Sequence, residues 1–232
     1  MDEKDSTYDR HTPKLLKAGH IAYYSRNGLE SLCKIGYKGN LYKLNQYVDS
    51  NIFKQIKPKF SGELIVGSFG ALDRARKASW VLSDAVYITD MEVVITKGRL
   101  KGNKVTKMGA VTDKGLIEVF KKINVYVSTA NVEGGPMGVL EAMACGIPVV
   151  ITDTGFAGDI IKHGINGFLI PFKDPQALAR RLESIESNVR AIELYKKVGF
   201  VEEGRKKQHI YKNGEYLDLI CMCIFDGKEK EK

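Results

Sequence analysis

The chain has 232 residues, room for one large domain or for one domain with an appendage. Its 44% hydrophobic and 28% charged residues, with 23 glycines against 6 prolines, exclude disordered, collagenous and coiled-coil classes. The net charge of +8 suits an anionic partner but fits nucleic acid, acidic lipid and nucleotide phosphate equally, and no aromatic-basic motif supports nucleic acid. No stretch approaches the roughly 18 to 20 apolar residues that span a bilayer, and the N-terminus, MDEKDSTYDRH, is acidic where a signal peptide is basic. The chain therefore reads as cytoplasmic, with membrane association at most peripheral. Four cysteines (Cys33, Cys145, Cys221, Cys223) without a CxxC pair are too scattered for a disulfide framework and are expected as thiols. Cys221 and Cys223 would share one face of a strand, which favours core packing over a metal pair.

In chain order, residues 1 to about 13 are polar, carry no period and read as a loose tail. Short β-branched or apolar runs then recur at Leu41 to Leu44, Glu63 to Phe69, Glu92 to Thr96, Ile123 to Ser128, Pro148 to Thr152 and Gly167 to Ile170. Amphipathic helical stretches separate most of them. This alternation predicts an α/β fold, a Rossmann-like, mostly parallel sheet with helices on both faces, whose ligand site lies in the strand-to-helix loops. Pro136 at a first helical position and Gly146 as a C-terminal cap bracket Pro136 to Cys145. Gly164 closes a helix from Phe156 to His163, and Asp174-Pro175 opens one from Gln176 to about Glu186. Beyond Ser187 a separate helix, Asn188 to Val198, leads to two strand-like runs joined by Lys212-Asn213-Gly214-Glu215, a strong hairpin signal. The domain reading is thus a tail (1–13), a nucleotide-sugar-binding unit (14–186), a helix and hairpin appendage (187–225) and a charged tail (226–232). An isolated hairpin is marginal, which favours a homodimer through it.

The chemistry concentrates in NVEGGPMGVLEAMACG, residues 131–146. Glu133-Gly134-Gly135 follows a strand and precedes a helix, and the glycine pair lets the backbone approach a ligand. Free amides at the helix start, with its dipole, welcome a phosphate. Glu141 lies about 7.5 Å further along the helix, among apolar neighbours. Its acceptor-only oxygens suit the vicinal hydroxyls of a ribose; the alternative is a position open to solvent. No Asp-x-Asp and no His/Cys cluster occurs, so no metal is implied. Of the four histidines only His163 stands near these loops, at an expected helix end where dipole compensation is the commoner role.

Glu133 and Glu141 form E-x7-E within EGGPMGVLEAMACGIPVVITDTG, which resembles the donor-site signature of glycosyltransferase family 4, the retaining sugar-nucleotide transferases of GT-B fold. IIKHGINGFLIPFKDPQALARRL resembles the segment that follows, YKLNQYVDSNIFKQI the linker into the donor domain, and ELIVGSFGAL its first strand and loop. The resemblance implies that Glu141 binds the ribose, that Glu133 contacts the donor sugar, and that the amides around Gly134, Gly135, Pro136 and Met137 face the diphosphate and sugar. It implies a UDP- or GDP-sugar as substrate, no tightly bound cofactor and no metal. Members add an arginine and a lysine that neutralise the departing diphosphate. The arginine expected after the loop glycine is Ala71 here; Lys77 is the matching lysine, and Arg74 or Arg76 replaces the arginine, the alternative being a solvated basic helix start. Asp159 stands where glutamate is usual and Phe156 where glycine is common.

A GT-B enzyme has a second, acceptor-binding domain, for which this chain offers only about 20 residues before the linker-like segment. The chain is therefore expected to be a fragment, to pair with an acceptor-domain subunit in trans, or to bind donor without transfer. Residues 187–225 resemble the closing helix and hairpin of GNAT-type N-acetyltransferases, with Asn188, Ala191, Tyr195, Gly199-Phe200, Gly204, Gly214 and Asp218 at matching places. There Tyr195 would be the general acid and Asn188 would touch the cofactor. The acetyl-CoA pyrophosphate loop of that family is missing; the nearest string runs from Arg99 through Gly102 to Lys104. The leading function is donor binding for retaining sugar transfer. Its alternatives are a non-catalytic scaffold and an acetyltransferase.

Overall fold

A computed structural model describes residues 6–56, 63–109, 112–198, 201–212 and 215–223. Helix α1 (Ser6–Lys17) leads to β1 (His20–Tyr23), α2 (Arg26–Lys34) and β2 (Asn40–Lys43), and β1 and β2 pair in parallel as a small separate sheet. Ser25 caps α2 by accepting the Gly28 N–H at 3.0 Å. After a linker described as far as Ile56, the main sheet is built from β3 (Ile65–Ala71), β4 (Glu92–Lys97), β5 (Val105–Lys107), β6 (Val125–Ser128), β7 (Val149–Thr152) and β8 (Phe168–Ile170). These six strands are parallel and lie in the order β5-β4-β3-β6-β7-β8. The connecting helices are α3 (Ser79–Thr89), α4 (Asp113–Phe120), α5 (Met137–Ala144), α6 (Ala157–Ile160) and α7 (Pro175–Lys197). The expected Rossmann-like α/β architecture is thus present.

Alternation along each strand divides the core between two faces. Val66, Val93, Ile95, Val125, Val127 and Val150 pack with Leu82 and Val86 of α3 and Leu178 and Leu182 of α7. Val94, Tyr126, Val149 and Ile151 face the other way, onto Phe120, Val139, Ala142 and Ala157 of α4, α5 and α6. Phe53 of the linker joins this second face edge-on to Phe120, so the linker is anchored in the core. Each such side chain stabilises the fold by about 1.5–3 kcal/mol when fully buried, and apolar strands on both faces are what a covered parallel sheet demands.

Four expectations are corrected. Within the stretch read as a loose tail, residues from Ser6 onward form α1, which tolerates Pro13 inside it and carries Lys14 and Lys17 in its last turn, where they complement the helix dipole. The helix expected from Phe156 to His163 ends at Ile160, because Asn166 folds back: its Oδ1 accepts from Lys162 N–H at 2.7 Å and its Nδ2 donates to Ile160 O at 3.0 Å. His163 instead bridges to Gly167 and accepts the Leu169 N–H on Nδ1 at 3.1 Å, a backbone-holding role. The two helices expected on either side of Ser187 are one 23-residue helix, α7, about 34 Å long. Asp174 caps it, no glycine or proline interrupts it after Pro175, and Arg190 pairs with Glu186 at 2.9 Å, so the boundary drawn at 186/187 falls in mid-helix. Finally, Pro136 is the N-cap of α5 instead of its first residue. Strands β9 (Val201–Lys212) and β10 (Glu215–Cys223) pair antiparallel as a hairpin requires; its Asn213-Gly214 turn, Gly199-Phe200 and the charged tail lie outside the described residues. Among the described residues no helix is long and apolar enough to cross a membrane, and no group of His, Cys, Asp and Glu could hold a metal ion.

Candidate functional site

From β3 the chain winds one way to β4 and β5 and the other way to β6, β7 and β8, so the crevice where the order reverses opens at the carboxyl ends of β3 and β6. A cleft of about 400 Å³ lies there, walled by Gly70 near the end of β3 and Lys77 after it, Thr96 and Lys97 at the end of β4, Tyr126 and Ser128 of β6, and the loop and helix from Glu133 to Glu141. Of the residues singled out from sequence, Glu133, Gly135, Pro136, Met137, Glu141 and Lys77 line it directly. Gly134 is exposed in the same loop.

Glu133 is the hub of one wall. Its carboxylate accepts from Arg76 Nη1 at 2.7 Å and from the Lys77 ammonium, with only 10% of the Glu133 side chain and 16% of the Lys77 side chain exposed. Arg76, not Arg74, is therefore the arginine brought to this carboxylate, and it also donates to Val132 O at 3.3 Å. The loop is held from behind. Thr154 Oγ1 accepts the Glu133 N–H at 3.0 Å, Asn131 N–H donates to Arg76 O at 2.8 Å, and Thr129 Oγ1 donates to Lys77 O at 3.1 Å. Gly155, at φ +59°, completes the support: a Cβ there would stand 2.6 Å from Glu133 O.

Glu141 sits on α5 and lines the same cleft. Burial, and secondarily the negative charge of Asp113, push its carboxyl above the ordinary 4.5, and no hydrogen bond or cation among the described residues offsets that. Among the described residues it is a partly desolvated acceptor without a donor, a group that a ligand offering hydroxyls could satisfy. Beneath it lies the buried Tyr126 phenol, whose titration is raised by burial and then by the charges of Glu141 and Glu133. Only a glycine fits above that ring: a Cβ on Gly138 would lie 2.4 Å from the Tyr126 hydroxyl. Cys145, one turn beyond Glu141, is pushed up to about 11 by burial and by that carboxylate, and is inert at neutral pH.

The free amides expected at the start of α5 are partly occupied, since Met137 N–H donates to Gly135 O and Val139 N–H to Pro136 O. Asp159 does not enter the cleft wall. It accepts the Arg26 N–H at 2.8 Å and so ties α6 to the first turn of α2. Phe156 packs beside Gly135, where Gln46 of the linker also arrives. Tyr126, Gly138, Gly155, Thr154 and Lys97 were not singled out from sequence. The TDTG string and the small residue at the first turn of α5 were the available signals, but neither discloses its partner without the fold.

Residues 90–207 match the family model described as Glycosyl transferases group 1. A putative glycosyltransferase of Bacillus subtilis, EpsD, is 40% identical over 118 residues, covering 50% of this chain and 30% of that protein. The chain spans under a third of the length of the first curated relatives it matches. Among solved structures, HepE of Anabaena in complex with UDP-glucose superposes with a TM-score of 0.66 at 20% identity, covering 82% of this chain and 63% of that one. Sucrose-phosphate synthase from Thermosynechococcus elongatus gives 0.69 at 21% identity, covering 81% and 55%. The architecture is that of one half of a GT-B glycosyltransferase.

Proposed function

The chain belongs to the group 1 glycosyl transferases, and from that premise we propose that its cleft binds a nucleoside-diphosphate sugar as the donor for retaining sugar transfer of the family 4 type. The observation that carries this reading is that one cleft holds both a partly desolvated carboxylate, Glu141, with no partner among the described residues, and the Glu133–Lys77 ion pair, to which Arg76 adds a second cation. Glu141 accepts the ribose hydroxyls. Lys77 and Arg76, turned from Glu133 toward an arriving diphosphate, stabilise the charge that develops as the nucleotide leaves, while Glu133 is freed to meet the sugar. The segment Gly134, Gly135, Pro136 and Met137 lets diphosphate and sugar come close to the backbone. Neighbours that carry UDP or UDP-glucose in this fold support the donor class. Transfer requires an acceptor domain, supplied in trans or by further chain, because this chain matches only part of its relatives.

Calorimetric titration with UDP, GDP and UDP-glucose tests the reading. The wild-type chain binds at least one nucleoside diphosphate, and Glu141→Ala loses that affinity while its circular dichroism is unchanged. Equal affinity in the variant defeats the ribose assignment.

A further inference from the structure

The geometry points to Lys97 as the residue that receives the phosphates of the bound nucleotide, an inference that rests on the donor-binding reading above. Two lysines line the cleft, and they differ in commitment. The Lys77 ammonium is bonded to Glu133, so an incoming anion must displace a carboxylate to reach it. Lys97 is exposed within the same cleft, and no carboxylate of the described residues pairs with it.

The backbone explains how Lys97 comes to stand there. The register of β3 on β4 runs from Ser68 opposite Ile95 to Ala71 opposite Lys97, so β3 carries one extra residue before its end. The bulge centres on Gly70, at φ +100°, whose N–H donates to Thr96 Oγ1 at 3.2 Å. A Cβ on Gly70 would lie 3.5 Å from Lys77 Nζ, so Lys77 arches over the bulge while Lys97 stands beside it, across from the small Ala71. Gly98, at φ +91°, pins the strand end: any Cβ there would come within 2.8 Å of the Leu72 and Asp73 amide nitrogens. Lys97 is thus carried at a hydrogen-bonded strand end beside the crevice, with the short Ala71 side chain as its register partner. An uncommitted ammonium at that place needs no rearrangement before it meets a phosphate.

The test compares wild type, Lys97→Met and Lys97→Arg in calorimetric titrations with UDP and with uridine, GDP and guanosine being run in parallel. The expected result is that Lys97→Met weakens the nucleoside diphosphate by about tenfold to a hundredfold, leaves the nucleoside unchanged, and that Lys97→Arg retains most of the affinity. Equal diphosphate affinity in Lys97→Met, equal losses for diphosphate and nucleoside, or an arginine variant as weak as the methionine one each overturns the assignment. A wild-type chain that binds neither UDP nor GDP refutes the donor-binding reading itself, and the Lys97 assignment falls with it.

Discussion

Replacing Gly138 by alanine tests how α5 seats over the cleft floor. The new methyl carbon would stand 2.4 Å from the Tyr126 hydroxyl and 3.0 Å from its ring carbon, inside the closest approach that packed atoms tolerate. Tyr126 is buried, on a strand held between β3 and β7, so the ring cannot swing into solvent. Overpacking of this kind costs about 1–3 kcal/mol. At about 2–4 °C per kcal/mol for a chain of this size, the melting temperature falls by about 2–12 °C. Tyr126→Phe removes the nearer atom without breaking a hydrogen bond among the described residues, and the alanine then meets only the ring carbon. The double variant therefore recovers a good part of the loss, and calorimetric melting of the four proteins gives the coupling as a double-mutant cycle. A Gly138→Ala protein that melts with wild type, or a cycle in which the two changes simply add, refutes the close packing of α5 on Tyr126.

Ser187→Pro should cost about 3 kcal/mol because it lies on the exposed face in the middle of α7, whereas a helix break at that position would leave it near neutral; urea denaturation separates the two. Glu141 is held above its ordinary pKa of 4.5, so the native state binds more protons than the unfolded one and its ionisation destabilises the fold as pH rises through that raised value. Glu141→Gln should accordingly melt above wild type at pH 7 and lose its advantage below about pH 4.5; a constant difference across pH would contradict the burial argument. Iodoacetamide at pH 8 should label the exposed Cys33 and spare Cys145, as peptide mass mapping would report.

The sheet was legible because its strands are apolar on both faces, and a run such as VYVS between helical segments has few other solutions. The strands that escaped notice are short or polar: β5 is three residues ending in Lys107, an edge where charge hides the pattern, and β1 is four residues in a two-stranded sheet. The pattern of elements changes after Ser187, but no glycine or proline lies between Gln176 and Val198, so one helix runs through that position. At the site, Glu133 and Glu141 are conspicuous as charged residues among glycines and apolar residues, whereas Lys77, within the charged string DRARKAS, is singled out only by the family resemblance. The choice of Arg76 over Arg74 could not be made, since it depends on how the turn after β3 directs each side chain. Gly155, Gly138 and Lys97 act through contacts with residues on other elements, across a bulge and a loop, and such contacts leave no periodic trace.

Whether Glu141 and the cations at Lys77, Arg76 and Lys97 hold a sugar nucleotide is tested most directly by a crystal structure of the chain with UDP-glucose or its GDP counterpart. The expected complex has ribose hydroxyls within hydrogen-bond distance of the Glu141 carboxylate and phosphates at the β3 and β4 strand ends, beside Lys97 and Lys77. A nucleotide bound elsewhere, or one in this cleft with its ribose turned away from Glu141, would contradict it.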